Sequence, residues 1–547
     1  MGLLDPIAPP YDPLEWAKQP FAEKSRAVCR TWALQGYGTP LPVYALYLLK
    51  VLFYAGGWAF FCGFTPGLGG LRSIGSWWLE PVAFQKAIVW SMLFEILGLG
   101  CGSGPLTGRY FPPLGGFLYF LRPGTTKLPL FPRLPLLGGA RRTWLDVLLY
   151  AAALACMMRA LCAPAIGFAQ IAPVAALVAL LGAADKTLFL VARAEHYWTT
   201  AMVFALAPSG WIPGAKAVQA ALWFWAGVSK LNHHFPAVVC VMTSNSPFSR
   251  FEWLRRRMYR SYPDDLSPSR LAVVAHGGTA LEFAVPLLLL AGDGGPLTLA
   301  GLVLMVALHA FITSNVPMGV PIEWNFMMVY GGFFLFWRNA AASVLAVPPL
   351  LAAFLLLMLV AVPLLGNLFP SRISFLLAMR YYAGNWANSI WLFKGDSHRK
   401  LDRLTKSSPW IYDQLGRFYD RRTAVGIVGR VMAFRLMHLH GRALPLLVPK
   451  AVDRVEDYEW VDGELVAGMV LGWNFGEGHL HDEQLLKAVQ EQCGFEAGEL
   501  RCVFVESQPL GGWSLRYRIA DAKSGPIEEG EIAVADLLQR PPWPAGA

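Results

Sequence analysis

Residues 342–366 read ASVLAVPPLLAAFLLLMLVAVPLLG, twenty-five positions without a charged side chain. About 20 predominantly apolar residues carry a helix across the hydrocarbon core of a bilayer, so this run points to a membrane span. Working outward, comparable runs lie at 42–63, 84–103, 144–163, 168–184, 187–208, 214–232, 271–291, 297–317 and 324–338. Hydrophobic residues make up 55% of the 547 and charged ones 15%, where soluble domains carry about 25% charged residues. A soluble core of this size would still need a charged shell, so that class is excluded. The 21 tryptophans and 33 phenylalanines suit a chain with two membrane interfaces to line. The expected fold is an all-α polytopic membrane protein of about ten transmembrane helices with a small α+β C-terminal domain. Its expected parts are an N-terminal interfacial segment (1–40), the transmembrane domain (41–370), basic amphipathic interfacial helices (371–450) and a small acidic domain (451–547).

The net charge of +9 is unevenly spread. Residues 371–450 hold fourteen Lys/Arg against four Asp, and 451–547 hold seven against eighteen Asp/Glu. Anionic headgroups attract such a basic stretch. With Tyr381, Trp386, Trp391 and Trp410 mixed into it, helices lying on the membrane face are expected. Residues 14–34 read the same way, placing Trp16, Phe21, Val28 and Trp32 among Lys18, Lys24, Arg26 and Arg30. Arg109, Arg122, Lys127, Arg133, Arg141 and Arg142 follow the second run; Arg250, Arg255, Arg256, Arg257, Arg260 and Arg270 follow the sixth. With ten spans, the positive-inside rule puts both loops and both termini in the cytoplasm, in a bacterial inner membrane. Expected partners are membrane lipids, a lipid-soluble small molecule and a protein met through the acidic domain. No nucleic-acid module is visible. No cleavable signal is expected, the first long apolar run beginning near Leu41.

The eight cysteines show no C-x-x-C pair and no metal-ligand spacing. Cys62, Cys101, Cys156, Cys162 and Cys240 lie in or beside apolar runs, where cysteine behaves as a small hydrophobe, and Cys493 and Cys502 are expected as reduced core residues. After Lys450 the pattern turns to short strands at 465–473, 501–506, 514–519 and 527–534 around a helix at 483–492. His479-Leu480-His481-Asp482-Glu483 crowds metal-ligand types, but Asp482 and Glu483 suit the start of that helix. The stretch from Asn385 to Trp391 reads as an interfacial anchor or as a headgroup site.

Ionisable and polar groups inside spans are costly and are functional candidates by default. Here they are Glu95, Arg159, Asp185, Lys186, His196, Lys230, His276, Glu282, His309, Asn315 and Glu323. The plain alternative for each is a pair that holds helices together. Lys230 stands out, at the end of Trp223-Phe224-Trp225-Ala226-Gly227-Val228-Ser229-Lys230-Leu231-Asn232. On a helix Trp223, Gly227 and Lys230 share one face, and Gly227 leaves space one turn from the amine. Desolvation favours the neutral, basic amine; the alternative is a lysine snorkelling to the headgroups.

The run Ala226-Gly227-Val228-Ser229-Lys230-Leu231 resembles the A-G-V-x-K-L element of the vitamin K-dependent γ-glutamyl carboxylase superfamily, whose bacterial members are known by their horizontally transferred transmembrane (HTTM) domain. Further pieces follow in that family's order. Asp185-Lys186-Thr187 precedes His196, with a gap longer by about one helical turn. Ser246-Pro247-Phe248 follows the lysine, His276-Gly277-Gly278 opens the next span, and His309 with Ser314-Asn315 resembles the family's H-x-x-N/S region. The resemblance covers residues 140–340, and over its whole length the chain also resembles an uncharacterised bacterial membrane family. It implies Lys230 as the base that deprotonates a reduced isoprenoid quinone, which reacts with molecular oxygen. The resulting epoxidation generates a strong base for carboxylation. It implies His196 and His309 as stabilisers of the charged intermediates; Trp223, Gly227, His276 and Asn315 are the expected substrate-binding residues, and no metal is expected. The carboxylase has a large β-rich portion after its membrane part, where this chain has about 95 residues. The alternative expectation is a non-catalytic scaffold or lipid-binding protein. A transporter is disfavoured, because no pair of interrupted spans recurs in matching halves.

Overall fold

The computed structural model describes residues 3–103, 107–110, 116–249, 251–317, 321–381 and 384–544. Arg250, counted above in the second basic loop, lies outside them. Helix α1 (Phe21–Gln35) precedes α2 (Leu41–Gly63) and α3 (Pro81–Ile96). Then come α4 (Trp144–Cys162), α5 (Phe168–Ala184) and α6 (Ile212–Ser229). A short hairpin, β1 (Tyr259–Ser261) and β2 (Asp265–Pro268), separates these from α7 (Arg270–Ala291), α8 (Pro296–Thr313), α9 (Ile322–Gly331) and α10 (Pro349–Leu368).

Among the described residues α2, α4, α7, α8 and α10 are long and apolar enough to cross a membrane. Their outer faces expose leucine and phenylalanine in rows, such as Leu48, Leu49, Leu52 and Phe53 on α2 and Leu350, Leu356 and Leu357 on α10. A contiguous apolar surface of that kind is covered by lipid rather than water. The chain is a mostly helical, multi-pass membrane protein.

Five helices of this length stand where about ten spans were expected, and the reasons are local. The run at 84–103 stops as a helix at Ile96 and buries Lys86 and Glu95. Helix α5 has 17 residues, and α6 carries Lys216 and Gln219. The run at 187–208 is broken at Arg193, whose backbone is left-handed (φ 50°), a conformation costly for any residue with a Cβ. Helices α4 and α5 pack as one pair, and α6, α7 and α8 pack in sequence order.

The C-terminal part is a mixed α/β unit. Its sheet runs β4-β3-β5-β6-β7, all antiparallel, from β3 (Asn388–Lys394), β4 (Tyr458–Asp462), β5 (Leu500–Val505), β6 (Ser514–Asp521) and β7 (Gly525–Ala533). Strand β3 corrects the reading of 371–450 as helices: Ile390 pairs with Asp462 on one side and Val503 on the other. Its Ile390, Trp391, Leu392 and Phe393 are buried on both faces. A continuous apolar run is what such a strand needs. Helix α11 (Arg421–Met437) is also buried along most of its length, and α1 packs on it. Trp16, Phe21, Val28 and Trp32 are therefore covered by protein.

A helix, α12 (Gly463–Leu471), stands where the first C-terminal strand was expected. Asp462 caps it by accepting from the Glu464 N–H at 2.7 Å, and Gly472 in the left-handed conformation (φ 81°) closes it. The helix expected at 483–492 is α13 (Glu483–Cys493), capped by Asp482 accepting from the Gln484 N–H at 2.9 Å. The basic stretch meets acidic residues inside the protein: Arg435 with Asp462 at 2.6 Å, Lys450 with Glu528 at 2.9 Å, and Lys400 with Glu499.

Candidate functional site

Lys230 ends α6 and is 5% exposed. Its Nζ forms an ion pair with Glu282 of α7, itself buried, and lies 5.4 Å from the centre of the Phe235 ring. A buried ammonium without a partner is strongly destabilising, so Glu282 explains how the amine is held inside the bundle. The space expected beside Gly227 is filled. The Phe283 ring of α7 reaches to 3.1 Å from where a Cβ on Gly227 would stand, so the glycine serves the close approach of α6 and α7.

Two helical turns before the lysine, Trp223 donates its Nε1–H to His309 Nε2 at 3.0 Å. His309 Nδ1 lies 2.8 Å from Asn325 Oδ1. Because Nε2 accepts, the ring proton is on Nδ1 and is donated to Asn325, whose amide in turn donates to the Pro321 carbonyl at 2.9 Å. The neighbouring Trp324 donates its Nε1–H to His196 Nδ1 at 3.0 Å, which leaves the His196 proton on Nε2. The Trp324 ring stands 6.2 Å from the ring of His196 and 6.0 Å from that of His309. The two histidines singled out by sequence thus flank one indole, and Lys230 is within electrostatic range of His309.

The network continues. The Arg193 guanidinium lies over the rings of Trp324 and Tyr381, each at 5.4 Å, and pairs with Glu195 at 2.8 Å. Its far side meets the Cys101 thiol at 3.8 Å. Cys101 Sγ is 3.3 Å from Glu95 Oε1 and 3.8 Å from Glu323 Oε1, and the Cys101 N–H donates to Glu95 Oε2 at 2.9 Å. Cys101 is therefore a polar participant, not the small hydrophobe expected. One ligand atom each of Glu95, Cys101 and Glu323 lie within 4.8 Å of one another, a buried set that could coordinate a ligand. Lys50, 3.4 Å from Glu323, and Arg193 supply positive charge there, so a divalent ion would compete with Lys50 for Glu323.

The remaining sequence candidates sit around this core. His276 is half-buried, its Nδ1 3.3 Å from the Thr279 hydroxyl, and its ring packs at 5.9 Å from that of Phe235, the ring that also neighbours Lys230. Asn315 caps the end of α8 by donating to the Phe311 carbonyl at 2.8 Å, and its own carbonyl accepts from Asn245 at 3.3 Å. Asp185 pairs with Arg142 and caps the turn at Thr187, while Lys186 donates to the His479 carbonyl at 2.8 Å. Arg193, Lys50, Trp324, Asn325 and Tyr381 were missed. The rule that flags ionisable and polar groups inside apolar runs reaches Arg193, Lys50 and Asn325, since all three lie within expected spans; no such rule reaches Trp324 or Tyr381.

Outside the membrane part, His479 lies between Glu477 at 3.0 Å and Glu506 at 3.1 Å. Burial opposes its charge, but Glu506 and Glu477 outweigh that and hold His479 up at about 10. Burial would raise Glu506, and the facing His479 instead holds it down at about 2.

A family model described as "Transmembrane protein of unknown function (DUF3556)" matches residues 1–547. The chain belongs to this family. Among curated proteins and among solved structures, none matches the chain. Because the match spans both the membrane helices and the C-terminal sheet, the family is defined by the two together. Its description assigns membrane residence and no carboxylase or epoxidase chemistry.

Proposed function

We propose that this chain is an integral-membrane enzyme performing base-assisted chemistry on a lipid-soluble, quinone- or isoprenoid-like substrate. The observation that carries the reading is convergence. His309 with Trp223 and His196 with Trp324 meet around one indole, and Lys230, on the Trp223 helix, is buried with Glu282, all inside an apolar bundle. Ionisable groups in such surroundings are expensive to keep and mark functional paths more often than plain support. In this reading Nζ passes its proton to the Glu282 carboxylate, and the neutral amine then takes the proton of a quinol hydroxyl. The oxygen left negative needs a donor. His309 has both ring nitrogens engaged and acts as a positioning residue for Trp223. The His196 Nε2–H has no partner among the described residues, so it is the ring N–H of this network left to meet a polar group of the bound substrate. A water-poor site strengthens that hydrogen bond. The resemblance to the γ-carboxylase superfamily supports a reduced isoprenoid quinone as co-substrate and oxygen as the reactant that follows.

The test is mass spectrometry of lipids co-purified with wild type and with Lys230→Ala, with and without exposure to oxygen. An isoprenoid quinone held by both proteins and altered only by wild type in oxygen is the expected result. A lipid profile that does not depend on Lys230 overturns the enzyme reading and leaves these polar groups as a structural brace.

A further inference from the structure

A cavity of about 580 Å³, sharing no lining residue with the Lys230 site, lies between α5, the segment that follows α10 and the start of α13. Its walls are mostly apolar, including Phe131, Phe189, Leu190, Trp198 and Val362. Its polar lining is formed by Lys186, Ser371, Arg372, Ser374, His479 and Asp482. The polar residues from Lys186 and from the segment after α10 share a position along their helices. Helix α5 ends at Ala184 and α10 at Leu368, so the polar residues stand just beyond the ends of two apolar helices. That is the level at which a bilayer changes from hydrocarbon to headgroup. Leu130 and Phe131 of the lining are exposed, as are Leu180 and Leu364 beside it in sequence.

The charges of the polar lining are not equivalent. Lys186 donates to the His479 carbonyl at 2.8 Å and stands near Asp482, whose carboxylate caps α13. His479 is clasped by Glu477 and Glu506. Arg372 is exposed and in no ion pair among the described residues. Its guanidinium is thus left to an outside anion, and a guanidinium binds phosphate oxygens in a bidentate manner.

We propose that this cavity binds an anionic membrane phospholipid, with Arg372 and Lys186 on the phosphate and the acyl chains running past Phe189, Leu190 and Val362. A volume in the range of small-molecule pockets holds a headgroup and the upper chains. The rest of the chains lie over the exposed leucines. The site is independent of the chemistry proposed for Lys230.

Native mass spectrometry of the full-length protein in detergent, doped with dioleoylphosphatidylglycerol or with dioleoylphosphatidylcholine, tests this. Wild type is expected to retain the anionic lipid about fivefold better, the scale of one basic side chain at a headgroup. Arg372→Glu should reduce the anionic lipid to the level of the zwitterionic one. Ala179→Trp, on the exposed wall of the cavity, should reduce both. Equal retention of the two lipids by wild type overturns the proposal even if a variant fails to fold. So does retention unchanged in folded Arg372→Glu and Ala179→Trp. Displacement by excess inorganic phosphate without any need for acyl chains shows an ion site and overturns it as well.

Discussion

The Lys230–Glu282 pair makes a specific demand on single substitutions. Removing one partner leaves the other charge buried, which costs about 3–5 kcal/mol where such pairs have been broken. Lys230→Ala should therefore lower the melting temperature in detergent, and Lys230→Ala combined with Glu282→Ala should recover most of the loss. A double variant no better than the single one would mean that the pair does not carry this burial. At His479 the signs run in opposite directions for the two partners. A histidine raised to about 10 contributes stability fully present below its ordinary value of 6.5 and lost as pH rises toward 10. Glu506, held at about 2, contributes stability present above 4.5 and lost as pH falls toward 2. The melting temperature should plateau between about pH 4.5 and 6.5 and fall on the alkaline side, and His479→Gln should flatten that alkaline fall. Sequence spacing placed Trp223 on the lysine's helix face, because i and i+7 share a face on any helix. It could not pair the lysine with Glu282 on the next long helix, nor place Trp324 between two histidines, since those contacts are made by packing.

At the scale of elements, most misreadings concern apolar runs of strand length. The run at 463–471 is apolar and short enough for either a strand or a helix. Asp462 before it and Gly472 after it were the helix signals. Strand β3 was hidden for a different reason: tryptophans beside basic residues also describe an interfacial helix, and only the partners β4 and β5 distinguish the two. Because β3 is internal to the sheet, residues 451–547 lack a strand they must pair with. That segment expressed alone is expected to be digested by a protease within the time that the same region of the full chain resists. A stable, strand-rich fragment by circular dichroism would contradict the sheet order described above.

Over the whole molecule, membrane class was legible because it depends on composition, which folding does not change. The uneven charge was legible too, but its meaning was not. The basic excess of 371–450 is answered in part by acidic residues of the last hundred positions, at Arg435–Asp462 and Lys450–Glu528. Attachment to the bilayer should then come from the apolar helices rather than from charge. An alkaline carbonate wash, which strips proteins held electrostatically, is expected to leave essentially all of the chain in the membrane pellet; release into the supernatant would count against five long apolar spans.

The packing of α1 on α11 has a topological meaning. Helix α1 precedes the first long apolar helix and α11 follows the last, and the two touch. The chain therefore returns to the side on which it began, and the number of crossings between residues 41 and 368 is even. Five is odd. A shorter apolar helix must complete the count, and α5, with 17 residues packed against α4, has the length and the neighbour to do so.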